Sequence, residues 1–170
     1  MENADNARHL SLKDRVDTLL RALPTAVAVM DRDGVVRYGW NPAAENLFRR
    51  AKSEAVGRVI PLLDGGCSVD FADFLRRAAA GEVISGTELR YKRSDGSSVY
   101  ASVSLAPAKN TIGARRGVRT IVGLFEDITQ RKQAEAFLRE SEERFRSVFE
   151  DGQLGMAIVD MDTRIMQANR

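Results

Sequence analysis

Apolar positions along the chain begin with a helical period and then change to a strand-like one. Leu12, Val16, Leu19, Leu20 and Leu23 recur three and four apart, which lines them along one face of a helix over residues 11–23. Ser11 followed by Asp14 resembles a capping box with the shorter acid. Pro24 lacks an N–H and disfavours helix in the residue before it, so the helix stops there. Ala26 to Met30 is a compact apolar run with the length of a buried strand. Asp31-Arg32-Asp33-Gly34 reads as a turn and Val35 to Trp40 as the returning strand, because Asp-Gly supplies the positive φ of a tight hairpin.

Asn41 then looks like the N-cap of a helix, with Pro42 at its first position and Ala44, Leu47 and Phe48 on one face. Ser53 to Val56 predicts a short helical turn ending at Gly57. After the Asp64-Gly65-Gly66 loop, Ser68 is the expected cap of a longer helix carrying Phe71, Phe74, Leu75 and Ala78, ended by Gly81. Thr87 to Lys92 alternates as a strand, and Ser94 to Ser97 turns. Val99, Ala101, Val103 and Leu105 alternate with polar residues on the next strand. Residues 109–117 read as a loop, and Val118 to Ile128 as a last strand rich in β-branched residues. This order of elements predicts an α+β fold with one antiparallel sheet and helices on one face.

From Thr129 the helical period returns. Ala134, Leu138, Ser141, Phe145 and Val148 form a heptad seam, which predicts a linker helix over 129–150 able to form a two-stranded coiled coil. Glu135 with Arg139, Glu140 with Arg144 and Glu142 with Arg146 are i, i+4 pairs in the favourable order. Beyond it an internal repeat emerges: Val29 to Asp33 aligns with Ile158 to Asp162, Val36 with Ile165, and Asn41 with Asn169 if the first copy carries one extra residue beside Gly39. That residue is expected to form a β-bulge. The chain thus divides into a polar leader (1–10), a helix (11–23), a domain (24–128), a linker helix (129–150) and the start of a second domain (151–170). It is read as a fragment whose effector is absent.

Composition narrows the class further. Over 170 residues, 44% apolar and 29% charged content is that of a globular protein. A net charge of +2 gives no concentrated basic face for nucleic acid. Lys109, Arg115, Arg116 and Arg119 are read as a solvated loop. The single cysteine excludes an internal disulfide, and no apolar run reaches the length of a membrane span. With no signal-peptide core at Met1 to Arg8, the expected compartment is the cytoplasm.

Trp40-Asn41-Pro42-Ala43-Ala44-Glu45, then Leu47-Phe48 and Glu54-Ala55-Val56-Gly57-Arg58, resembles the first half of a PAS domain. Glu126 to Glu135 is similar to the sequence that closes such domains, and Glu142 to Phe149 to the start of a following PAS repeat. The resemblance implies a five-stranded antiparallel sheet with short helices over one face, and a sensory and dimerisation module in bacterial signal transduction. Such a module would be a homodimer through its terminal helices and would have no catalysis of its own. The alternative is the N-terminal part of a sensor histidine kinase or cyclic-dinucleotide enzyme whose PAS domain binds flavin or a small metabolite. Asp127, Ile128 and Thr129 are the expected relay, with Asp127 or Thr129 capping the outgoing helix. Phe48, Ile60, Phe74, Leu89, Val103 and Leu124 are the expected inward residues of the space between sheet and helices, either simple core or the lining of a ligand pocket.

Cofactor chemistry follows from the same positions. Light-sensing flavin relatives place a cysteine two residues after the Gly-Arg pair matched by Gly57-Arg58. Here Val59 and Ile60 follow, so the adduct-forming thiol is missing and Cys67 is read as an ordinary thiol. Haem commonly takes a histidine, and the only one, His9, stands in the polar leader. No cofactor is the leading expectation; non-covalent flavin or a small metabolite stays open, and Trp40 is assigned to core packing rather than ring stacking. Asp31 and Glu45 are assigned to capping or surface roles rather than to acid–base chemistry.

Overall fold

The structure, a computed structural model, describes residues 12–93, 95–109, 118–150 and 155–169. It separates between Ile128 and Thr129 into two compact units. The first contains α1 (Leu12–Ala22), β1 (Ala26–Met30), β2 (Val36–Tyr38), α2 (Pro42–Phe48), α3 (Lys52–Ala55), a 3-10 turn (Pro61–Leu63), α4 (Phe71–Ala79), β3 (Ile84–Lys92), β4 (Ser98–Lys109) and β5 (Val118–Asp127). The five strands form one sheet in the order β2-β1-β5-β4-β3, and every neighbouring pair is antiparallel.

Local chemistry explains most boundaries. Asn41 caps α2 by accepting the Ala44 N–H on Oδ1 at 3.0 Å, with Pro42 next, where a missing N–H costs nothing. The returning strand is shorter than expected, because Gly39 turns left-handed (φ +78°) and directs Trp40 into the core. The cap of α4 is Asp70 rather than Ser68. Ser68 is drawn away by β3, donating its N–H to the Arg90 carbonyl and accepting the Arg90 N–H on Oγ, both at 2.8 Å. Backbone pairing thus outcompetes a cap that local sequence permits. β4 includes Lys109 and β5 includes Arg119, two residues expected in a loop; Arg115 and Arg116 lie outside the described residues, as do the polar leader and Ser11.

Alternation along β4 decides where the core sits. Val99, Ala101, Val103 and Leu105 are all buried on the inner face, facing α2, the 3-10 turn and α4. Rings close the centre: Phe48 lies 5.1 Å from Trp40, 5.2 Å from Phe125 and 5.9 Å from Tyr91. Burying each such ring contributes about 1.5–3 kcal/mol. Gly123 makes this arrangement fit, since a Cβ there would stand 2.8 Å from the Phe125 ring and 2.9 Å from Met30 Cε.

The second unit contains α5 (Thr129–Glu150), β6 (Ala157–Val159) and β7 (Ile165–Ala168), the two strands forming an antiparallel hairpin. Along α5, Arg144 pairs with Glu140 at 2.6 Å, whereas Lys132 takes Glu135 and Arg139 takes Glu143. Arg139 therefore bridges forward along the helix rather than back to Glu135. Leu138, Phe145 and Val148 of the heptad seam are exposed.

Candidate functional site

Of the six residues expected to line the interior, Phe48, Ile60, Leu89 and Val103 are buried together in the core, and Phe74 is half-buried against it. Leu124 is not there. It is 43% exposed and occupies the outer face of β5, while Ile121, Gly123 and Phe125 face inward. The run from Val118 to Ile128 is apolar at both parities, so alternation alone cannot assign its faces. Register does so by setting Phe125 opposite Ala26 and Val103. Trp40 is a core residue, its Nε1–H donating to the Arg50 carbonyl at 3.0 Å.

Two surface clefts flank this core. A cleft of about 550 Å³ is lined by Pro24, Thr25, Ala26, Ala43, Asn46, Leu47, Arg49, Arg93, Phe125, Glu126 and Asp127. A smaller one of about 250 Å³ lies between α1 and the start of α2, with Asp17, Arg21, Glu45 and Lys52 on its walls. Glu45 is occupied structurally, accepting the Lys52 N–H that opens α3 at 2.6 Å. Asp31 is equally occupied, holding its own turn and Arg37.

Asn41 does more than the cap that its sequence position suggests. At 2% exposed, it accepts the Val27 N–H of β1 on the same Oδ1 that caps α2, at 2.9 Å. Its Nδ2 donates to the Leu20, Leu23 and Thr25 carbonyls at 3.0, 3.3 and 2.9 Å. Two N–H groups serving three acceptors means that one bond is shared. One amide therefore ties the C-terminal end of α1 to β1 and α2, satisfying carbonyls that a helix end leaves open. The repeat offered a signal for this: its second asparagine, Asn169, accepts the Met156 N–H at 2.7 Å, the bond that matches Val27 to Asn41.

The expected relay residues lie at the end of the sheet. Asp127 closes β5, Ile128 is buried, and its N–H donates to the Tyr100 carbonyl of β4 at 2.9 Å. α5 starts at the next residue, Thr129. Cys67 is half-buried, and burial pushes its thiol above the ordinary value against hydrogen bonds from Val69 and Ser68, which makes it a poor nucleophile. His9 lies outside the described residues. Among the described residues no cluster of His, Cys, Asp and Glu could hold a metal, and no helix is long and apolar enough to cross a membrane.

Comparison with known proteins agrees with this geometry. The family model described as "PAS fold" matches residues 20–133, and the one described as "PAS domain" matches residues 143–170. The chain belongs to the PAS family, with the beginning of a second repeat behind the first domain. No curated protein sequence matches it. Among solved structures, an RNA-binding Light-Oxygen-Voltage receptor is similar at a TM-score of 0.62 and 23% identity, covering 84% of this chain and 40% of that one. The chain therefore spans well under half the length of that receptor. The PAS domain of nitrogen regulation protein NR(II) from Vibrio parahaemolyticus matches at 0.52 and 23%, over 66% of this chain and 96% of that one. The PAS domain of an HTR-like protein from Haloarcula marismortui matches at 0.52 and 22%, over 68% and 91%. At these identities the likeness shows the fold.

Proposed function

We propose that this chain is a sensory and dimerisation module of a cytoplasmic signal-transduction protein, without catalysis of its own. It would relay a ligand or partner state from the sheet into α5 and on to an effector. The observation that carries this reading is the Ile128 N–H bond to Tyr100. The residue immediately before α5 is tied to β4, so a shift in the central strands has no slack loop in which to dissipate. Small displacements are amplified where an element has two packed arrangements. A homodimer is supported by apolar residues exposed along both terminal helices: Val16 and Leu19 on α1, with Leu23 just after it, and Leu138, Phe145 and Val148 on α5. The structural relatives include a receptor and a nitrogen regulation protein, which fits a sensory role.

Native mass spectrometry of the freshly purified chain tests the assembly. A dimer in the wild type and a monomer in a Leu138→Glu/Phe145→Glu variant are expected, and a monomeric wild type overturns the dimer. Hydrogen exchange tests the relay. Ile128→Ala keeps that N–H but removes the buried side chain that seats it, and is expected to speed exchange in the first turns of α5 while the rest of β4 and β5 keeps its protection; unchanged exchange in α5 overturns it.

A further inference from the structure

The second hairpin carries methionine where the first carries arginine. Register fixes the match: Met30 pairs with Val36 and Val159 with Ile165, which leaves Arg37 and Met166 as the extra residue of each ladder. In the turns, Arg32 follows Asp31 as Met161 follows Asp160, and each aspartate holds its turn with the same pair of backbone bonds. Arg32 and Arg37 are exposed in the first domain, and Met161 and Met166 are exposed in the hairpin. The neighbouring apolar position behaves differently, since Ile165 is exposed while the matching Val36 is buried in its core. Exposure at Ile165 therefore depends on what surrounds the hairpin. At Met161 and Met166 the position itself faces water, because side chains there stand outside even when sheet and helices are assembled around the turn. Arg37 uses that exposure to bond Asp31 at 2.6 Å, an ion pair that a thioether cannot make. Neither burial nor pairing accounts for methionine at these two places.

We propose that Met161 and Met166 form a reversible oxidation site, converted by hydrogen peroxide to methionine sulfoxide and restored by a thiol-dependent reductase. The thioether sulfur attacks one peroxide oxygen; the S–O bond forms, the O–O bond breaks, and the other oxygen leaves as water. Sulfur is oxidised by two electrons and the peroxide is reduced by two. Restoration returns the oxygen as water while two thiols are oxidised to a disulfide. The sulfoxide puts a polar, chiral group where the side chain already faces water, so the pairing of Ala157 with Ala168 and of Ile158 with Gln167 is kept. Met30 is the opposite case. It is fully buried, with its Cε packed over Gly123, and an added oxygen would have to enter the core. Oxidation thus marks the second hairpin and spares the first.

The test treats the full chain with dilute hydrogen peroxide and follows each methionine by peptide mass spectrometry. Met161 and Met166 should each gain one oxygen at least about tenfold faster than Met30, the order that exposure sets. Rates no faster than that of Met30 overturn the site. An Arg32→Met/Arg37→Met variant places the same residues in the first hairpin, where oxidation within about threefold of the Met161 and Met166 rates is expected. Protection there like that of Met30 overturns the equivalence of the two hairpins on which the site rests. Sulfoxide reductases of both epimer specificities, with dithiothreitol supplying the thiols, should then restore both methionines, and sulfoxide that persists overturns reversibility. Amide exchange in β6 and β7 should be the same before and after oxidation; lost protection overturns a modification that the hairpin tolerates.

Discussion

The hairpins β1–β2 and β6–β7 are the same device in two surroundings. In the first, Asp31 Oδ1 accepts the Asp33 and Val35 N–H groups at 3.0 Å each; in the second, Asp160 Oδ1 accepts those of Asp162 and Arg164 at 2.9 Å. Both ladders slip at matching places, between Val29 and Met30 and between Ile158 and Val159, where Arg37 and Met166 stand as the extra residues. The bulge is therefore shared by both copies. The additional residue of the first copy lies further on, at Gly39-Trp40, where the second has Ala168 alone. Their surroundings differ completely: β1 is buried throughout, whereas every residue of β6 and β7 is exposed. Turn chemistry is enough to shape a hairpin, but burial requires the remaining strands and helices.

One position condenses the difference. Gly34 and Thr163 occupy the same left-handed place in the two turns, at φ +79° and +64°. A Cβ at Gly34 would stand 2.6 Å from Leu63 Cδ1 and 2.9 Å from Leu75 Cδ1, so the first copy needs glycine for space as well as for φ. The second copy is exposed there, and a β-branched residue meets only the backbone penalty.

The largest effect is expected at the paired asparagines. Asn41→Ala strands the buried Val27 N–H and the carbonyls it serves, and should cost about 4 kcal/mol of stability in urea unfolding. Asn169→Ala should leave the main transition in place, and equal losses would break the comparison. Next comes Gly34→Thr, the second copy's residue placed in the first. We expect about 3 kcal/mol of destabilisation from φ and overlap together, read from the same curves. The reverse change, Thr163→Gly, should relieve about 1 kcal/mol locally and slow amide exchange in β6–β7 without moving the main midpoint.

Asp31 gives the comparison a pH axis. Burial works to raise its carboxyl, but hydrogen bonds from Val35, Arg37 and Asp33 outweigh this and hold it below the ordinary 3.8. A carboxyl depressed in the folded state stabilises fully above its unfolded value, and that contribution is lost as pH falls through the folded value. The gap in Tm between wild type and Asp31→Asn should thus be constant near neutrality and close below about pH 4. Smallest of all, Leu124→Ser on the outer face should shift stability by no more than about 0.5 kcal/mol in the same unfolding curves.

The element pattern was legible because each signal is local. The hairpin at Asp31 to Gly34, the Asn41-Pro42 helix start, the alternation from Val99 to Leu105 and the helix from Thr129 all rest on neighbours a few residues apart. The repeat was legible for the same reason, since its hydrogen bonds recur with its residues. Four of six expected interior residues lie in the core because the strands and helices that carry them have one apolar face. Leu124 was misassigned where the strand has two. The second bond of Asn41 Oδ1, to Val27, and the bond from Arg93 to the Leu47 carbonyl had no local signal, because each joins segments distant along the chain.

Sequence alone determined which segments become helices, strands and turns, that the hairpin occurs twice, and that the domain is of the PAS family. Those features follow from side-chain period, capping and φ preferences, which act over a few residues. Tertiary structure alone decided which side of β5 faces the core, how one asparagine joins α1, β1 and α2, and which distant carbonyl Arg93 reaches. Strand register and the close approach of distant segments fix those outcomes, and neither exists until the sheet has formed.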